Sequence, residues 1–189
     1  MTNRILLVVL SAVLIVGLNV ACQRNDDRVQ AAREDGVDVN TLSPGDLEIA
    51  TKIEQAHTGE LELARLAKER ASNKDVKNYA EMLESDHNKA LEDLTEILRD
   101  KQSAGSTHSK PAGTDMTQLQ KMSGAQFDRE FLATMVRNHQ ETLDALNRDL
   151  TTVQNPDMKD YIKNLMPKVR NHMEEAQKLQ TTLSSTGKH

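Results

Sequence analysis

The sequence predicts an all-α protein, a four-helix bundle made of two similar helical hairpins. Three observations carry this. Ala, Leu, Met, Glu, Lys and Gln dominate, while the chain of 189 residues has only two Tyr, two Phe and no Trp, and the dominant residues are all good helix formers. Apolar residues recur every three or four positions along four segments, the period of a helix with one buried face. The chain also repeats itself. A shift of 82 residues places His57 on His139, Leu61 on Leu143, Glu62 on Asp144, Asp75 on Asp157, Lys77 on Lys159, Tyr79 on Tyr161 and Leu83 on Leu165.

The N-terminal segment is not part of that bundle. Met1 to Arg4 is a short basic start, and Ile5 to Val20 is almost wholly apolar. Ala21-Cys22 follows, and then the polar run Gln23-Arg24-Asn25-Asp26-Asp27. A basic start, an apolar stretch too short to span a bilayer and a small residue before the cut describe a secretory signal over residues 1–21. Cys22 is the only cysteine, so it has no partner for an internal disulfide. Its position resembles the lipobox of bacterial lipoproteins, in which the thiol is diacylated. Asn19 departs from the Leu or Val usual three residues earlier. Two acyl chains anchor a soluble domain firmly, since each buried CH₂ contributes about 0.8 kcal/mol. The expectation is a lipid anchor on Cys22 in the bacterial cell envelope, facing the periplasm. Gln23, by resemblance to the sorting rule of Gram-negative lipoproteins, favours the outer membrane. A plain cleaved signal and an uncleaved anchor are the alternatives.

Residues 22–43 are polar, lack apolar periodicity and read as a flexible tether. The bundle domain is expected over 44–185. Ser43-Pro44-Gly45-Asp46 opens helix one, with Ser43 as cap, Pro44 at the first helical position and an acid three residues after the cap. It ends near Ala71. Asn73 precedes helix two, which runs to about Lys101. Residues 102–121 are rich in Ser, Thr and Gly and form a long connection. Ser123-Gly124-Ala125-Gln126 reads as a second capping box, opening helix three, which ends near Val153. Asn155-Pro156-Asp157 caps helix four, which runs to about Leu183 with an expected kink at Pro167. A link this long permits the crossover connection of ferritin-like bundles.

Charge narrows the partners. Without residues 1–21 the chain loses Arg4, leaving 23 Lys+Arg against 29 Asp+Glu, or 23 − 29 = −6. A mildly acidic domain offers no electrostatic footprint for nucleic acid. No protein partner is readable from the sequence.

One strongly polar residue interrupts each apolar stripe: Glu60 in helix one, His87 in helix two, His139 in helix three and His172 in helix four. Glu60 stands 13 residues before Asn73 and His87 stands 14 after it, while His139 stands 16 before Asn155 and His172 stands 17 after it. All four therefore lie near mid-helix and meet at one level, whether or not the link crosses over. A carboxylate and imidazoles converging inside a bundle is how such folds build metal sites, and imidazole suits Zn, Cu or Fe. His57, one turn from Glu60, is a secondary ligand candidate. Glu54 and Glu84 stand three residues before His57 and His87, a spacing compatible with ligation. Asp86, Asn138 and Asn171 are candidates for outer hydrogen bonds to the rings, although each points about 100° away from the histidine that follows it. His108 and His189, in the linker and the tail, have no assigned role. The bland alternative is a buried Glu60–imidazolium pair that only fixes register.

The segments GELELARLA (59–67), VKNYAEMLESDHNKA (76–90), SGAQFDREFLATMVRNHQETL (123–143) and LMPKVRNHMEEA (165–176) resemble the bacterial family known as domain of unknown function 4142. The resemblance covers roughly residues 46–183, with Ala64 where that family usually has Gly. It implies a ferritin-like fold in an exported protein or lipoprotein of no established biochemical role, and its matching positions are Glu60, His87, His139 and His172. The functional expectation is thus an envelope lipoprotein with a transition-metal site in its core and no catalytic residues. A metal-free envelope scaffold or stress protein is one alternative. A di-iron oxidase or peroxidase is another, disfavoured because such sites draw on four carboxylates and two histidines.

Overall fold

The computed structural model describes Gln30, Gly36 and residues 39–101 and 116–186. The signal, Cys22, most of the tether and His108 and His189 fall outside the described residues. Among the described residues five helices are complete: α1 (Pro44–Arg70), α2 (Lys74–Asp100), a single turn α3 (Met116–Leu119), α4 (Gly124–Thr152) and α5 (Pro156–Thr186). The four long helices form a bundle, and no described helix is long and apolar enough to cross a membrane.

The helix starts follow from local chemistry. The Ser43 hydroxyl accepts from the Asp46 N–H at 3.1 Å, and the Asp46 carboxylate accepts from the Ser43 N–H at 3.2 Å, a complete capping box. Asn73 caps α2 through the N–H groups of Asp75 and Val76, and Asn155 caps α5 through those of Asp157 and Met158. The start of α4 departs from expectation, because Ser123 makes no side-chain cap bond. Gly124 enters that helix at φ +61°, a left-handed turn that glycine makes without steric cost. α5 continues unbroken through Pro167, so the missing N–H costs one ladder bond without ending the helix.

The hairpins α1–α2 and α4–α5 pack side by side, with α1 against α4 and α2 against α5. Side-chain contacts set the direction. The start of α1 touches the α4–α5 turn, where the Asp46 carboxylate accepts from the Gln154 and Asn155 N–H groups at 2.9 and 3.3 Å. The α1–α2 turn touches the start of α4, where Asp128 accepts from the Ser72 N–H, the Ser72 hydroxyl and the Asn73 N–H at 3.0, 2.6 and 3.0 Å. Asp128 is Asp46 shifted by 82 residues (128 − 46), and Asn155 is Asn73 shifted likewise (155 − 73). Each hairpin thus holds the other's turn through the same residue, the reciprocity of a molecular two-fold.

α2 ends beside the α4–α5 turn, where Lys101 pairs with Asp157. Leu119 and Met116 instead pack with the residues around the start of α4, at the opposite end. The second long helix therefore ends, and the third begins, at opposite ends of the bundle, the arrangement of bundles with a crossover. The last residues before α1 are tied down as well. Val39 and Leu42 are buried, and the Val39 carbonyl accepts from Lys101 Nζ at 2.7 Å.

The core has two apolar halves. One gathers Leu63, Ala67, Val76, Leu83, Phe127, Phe131, Met135 and Ala176. The other gathers Ile49, Ile53, Ala90, Leu94, Leu146, Met158, Ile162 and Val169. On each helix the boundary between them falls at a polar residue.

Candidate metal centre

That boundary is a layer of His57 and Glu60 from α1, His87 from α2, His139 from α4 and His172 from α5. All five are buried, the least so being Glu60 at 6% exposure. Burying this much polarity is costly unless hydrogen bonds or a bound ion answer it. The structure brings together all four residues singled out from the stripes, with His57 beside them.

Glu60 Oε2 lies 2.8 Å from His87 Nε2 and 3.4 Å from His139 Nε2. The ring of His172 lies with its centroid 5.3 Å from those of both His87 and His139. The rings are oriented from behind. His139 Nδ1 is 2.8 Å from the Met135 carbonyl, one turn back on its own helix. His172 Nε2 is 2.9 Å from Asp86 Oδ2 on the neighbouring helix. Both partners only accept, Asp86 as carboxylate, so each of these nitrogens carries the proton and the other nitrogen of each neutral ring is bare. Among the described residues, the buried side-chain nitrogens without a hydrogen bond are His87 Nε2, His139 Nε2 and His172 Nδ1. These same three rings offer nitrogens that all lie within 4.8 Å of one another. Three lone-pair donors and a carboxylate oxygen converging in a dry layer are a donor set that fits a transition-metal ion.

Electrostatics agree with neutral rings at the margins of the layer. Burial, followed by the charge of His87, pushes the pKa of His57 down to about 3. Burial also pushes His172 down to about 4, against the opposing pull of Asp86. Burial raises Glu60, but His139, His87 and His57 in their charged forms outweigh it and hold the carboxyl at about 2. Glu60 is therefore ionised at neutral pH.

The remaining candidates separate clearly. His57 points away from the convergence point. Its Nδ1 meets His87 Nδ1 at 2.8 Å and its Nε2 meets the Tyr161 hydroxyl at 3.2 Å. Glu84 is turned outward to Arg65 and Lys68. Asp86 does serve as an outer partner, but for His172 rather than for its sequence neighbour His87. Asn171 is exposed. Tyr161 is the residue that sequence reasoning missed. Its signal was the Tyr79–Tyr161 pair in the repeat, and the two hydroxyls do make equivalent bonds, Tyr79 to the His172 carbonyl and Tyr161 to the Ala90 carbonyl, each at 3.0 Å. A groove of about 300 Å³ between α1 and α4 opens over His57, with Lys52, Arg148 and Asp149 among its lining residues.

Comparison with known proteins bears on the fold and the family. Residues 31–179 match the family described as domain of unknown function (DUF4142). No curated protein matches the chain. Among solved structures, CopM in its Cu(II)-bound form is similar with a TM-score of 0.60 at 15% identity, covering 72% of this chain and 96% of that one. CopM in its silver-bound form gives the same TM-score and coverage at 17% identity. A DUF305 fragment from Deinococcus radiodurans has a TM-score of 0.62 at 16% identity, covering 75% of this chain and 99% of that one. At these identities the likeness is one of fold: all are helical bundles of the same architecture.

Proposed function

The chain belongs to the DUF4142 family, and from that premise we propose that it is an envelope lipoprotein whose bundle core holds a transition-metal ion through Glu60, His87, His139 and His172. The observation that carries this reading is that His87, His139 and His172, each with one buried nitrogen that lacks a hydrogen bond, offer ring nitrogens within 4.8 Å of one another. Copper is the ion to try first, because CopM, which shares the fold, has copper- and silver-bound forms; zinc and iron suit the same nitrogen donors. A copper or iron ion would bring one-electron chemistry to the layer, and zinc would bring structure, charge and Lewis acidity without redox chemistry. The role is binding rather than catalysis. Glu60 is the one buried carboxylate in the layer among the described residues, since Asp46 and Asp128 are spent on the two turns, and this argues against a di-iron oxidase.

The test is a metal titration of the soluble chain from residue 23 onward with Cu(I) under anaerobic conditions, Cu(II), Zn(II) and Fe(II). One equivalent of at least one ion should bind, and His139→Ala should weaken it by roughly a hundredfold or more, beyond the loss typical of an outer partner. No binding by any ion, or unchanged binding in the variant, would leave the metal-free scaffold, with Glu60 and its histidines as a register device.

Anchoring through Cys22 is the second part of the proposal, supported by the signal-like stretch before it. Cys22→Ala should leave the protein unprocessed or release it from membranes. Normal cleavage with wild-type fractionation would exclude the lipid anchor.

A further inference from the structure

His57 is as buried as the proposed ligands, yet both of its nitrogens face away from the convergence point. We propose that His57 is a positioning residue and not a ligand: with Tyr161 it fixes His87 in the Nδ1–H tautomer, leaving Nε2 of His87 bare beside Glu60. This rests on the metal-site reading for its purpose, but its geometry stands alone.

The Tyr161 hydroxyl has one proton, and it is directed at the Ala90 carbonyl 3.0 Å away. Toward His57 the phenol oxygen can then only accept, so His57 Nε2, at 3.2 Å, donates. A neutral imidazole has a single N–H, and neutral is the form favoured for a ring 2% exposed among other rings, since burying a charge is costly. Its Nδ1 is therefore bare and must accept from His87 Nδ1 at 2.8 Å. With its proton on Nδ1, His87 presents a lone pair at Nε2, 2.8 Å from the ionised Glu60 oxygen. Two lone pairs facing each other at that distance repel, and a cation between them removes the repulsion. His87 thus receives from a facing helix what His139 receives from Met135 and His172 from Asp86. Ligating histidines generally carry such a partner on the far nitrogen, which sets the tautomer and raises ring basicity.

The opposite order is equally definite. Tyr161 would donate to His57, His57 Nδ1–H to His87, and His87 Nε2–H to Glu60. The experiment is ¹⁵N NMR of the histidine rings in the metal-free mature chain at about pH 7.5, combined with metal affinity of the Tyr161→Phe, His57→Gln and His57→Leu variants. His87 should be the Nδ1–H tautomer in the wild type and lose that preference in Tyr161→Phe. Affinity should fall ten- to a hundredfold in Tyr161→Phe and His57→Leu. His57→Gln, which keeps an acceptor for His87, should recover part of the loss. A His87 Nε2–H tautomer, or unchanged affinity in Tyr161→Phe, overturns the relay even where the wild type binds metal. A wild type that binds no metal but shows His87 as Nδ1–H sinks the metal-site reading and leaves the relay standing.

Discussion

The metal-free protein is expected to lose about 4 kcal/mol of stability between pH 7.5 and pH 5, and with it ~10 °C of melting temperature. The cause is the pair of rings whose folded pKa values are depressed, His57 to about 3 and His172 to about 4. Below an unfolded value near 6.5 the unfolded chain takes up protons that the folded layer refuses. The unfolded state then binds more protons, so stability rises with pH in this window. The contribution is complete above about pH 6.5 and is lost as pH falls toward the folded values. Glu60 acts in the same direction lower down. Its folded pKa of about 2 gives stability present above its unfolded value near 4.3 and lost as pH falls toward 2. Melting curves at half-unit intervals check this, and His57→Gln should remove about half of the loss above pH 5. A Glu60–imidazolium pair dominating the layer would reverse the slope, so a melting temperature that climbs from pH 7.5 to 5.5 would show the pairing to be the truth.

Asp128→Ala should cost about 3 kcal/mol or more in urea unfolding, a large share of the roughly 5–15 kcal/mol typical of a domain. Asp128 is buried at 1% exposure, and its removal strands two backbone N–H groups and a hydroxyl. Asp46→Ala should behave alike at the other end, with the added loss of the capping box. Because each aspartate joins one hairpin to the other, both variants should still unfold in a single transition at lower denaturant. A cost below about 1 kcal/mol at Asp128 would mean that water replaces the clasp without penalty.

The helix limits were legible because their signals are local: Ser43 and Asn155 cap their helices as their side chains suggested, and Asn73, read only as the break before helix two, proves to be its cap. The level of Glu60, His87, His139 and His172 was legible too, since it needs only residue counts from two turns. What escaped was whatever depends on a partner far along the chain. Asp46 reads as a helix-start acid, and nothing local shows its second pair of bonds to Gln154 and Asn155. Asp86 reads as a neighbour of His87, yet the 100° step that turns it from His87 turns it to His172. Ser123 shows the converse error, a sequence-perfect cap undone by the left-handed Gly124 after it. The two-fold was half seen: seven pairs at a shift of 82 marked the repeat, but the aspartate pair that holds the hairpins together was not among them.

The repeat also shows where symmetry was abandoned. His57 and His139 are two-fold mates, but Glu60 has Thr142 as its counterpart (142 − 60 = 82) and His87 has Val169 (169 − 87 = 82). When a metal is held, one carboxylate sits among rings that must be neutral to ligate, between two apolar halves that keep water away. Electroneutrality becomes a selection rule in such a place, because an uncompensated charge in a low-dielectric layer is expensive. A singly charged cation balances Glu60, whereas a doubly charged one leaves a net positive charge that only Asp86, outside the layer, helps to answer. For an ion with both states, such as copper, this asymmetry would favour the reduced form over the oxidised one, and the reduction potential of an ion held there would rise accordingly.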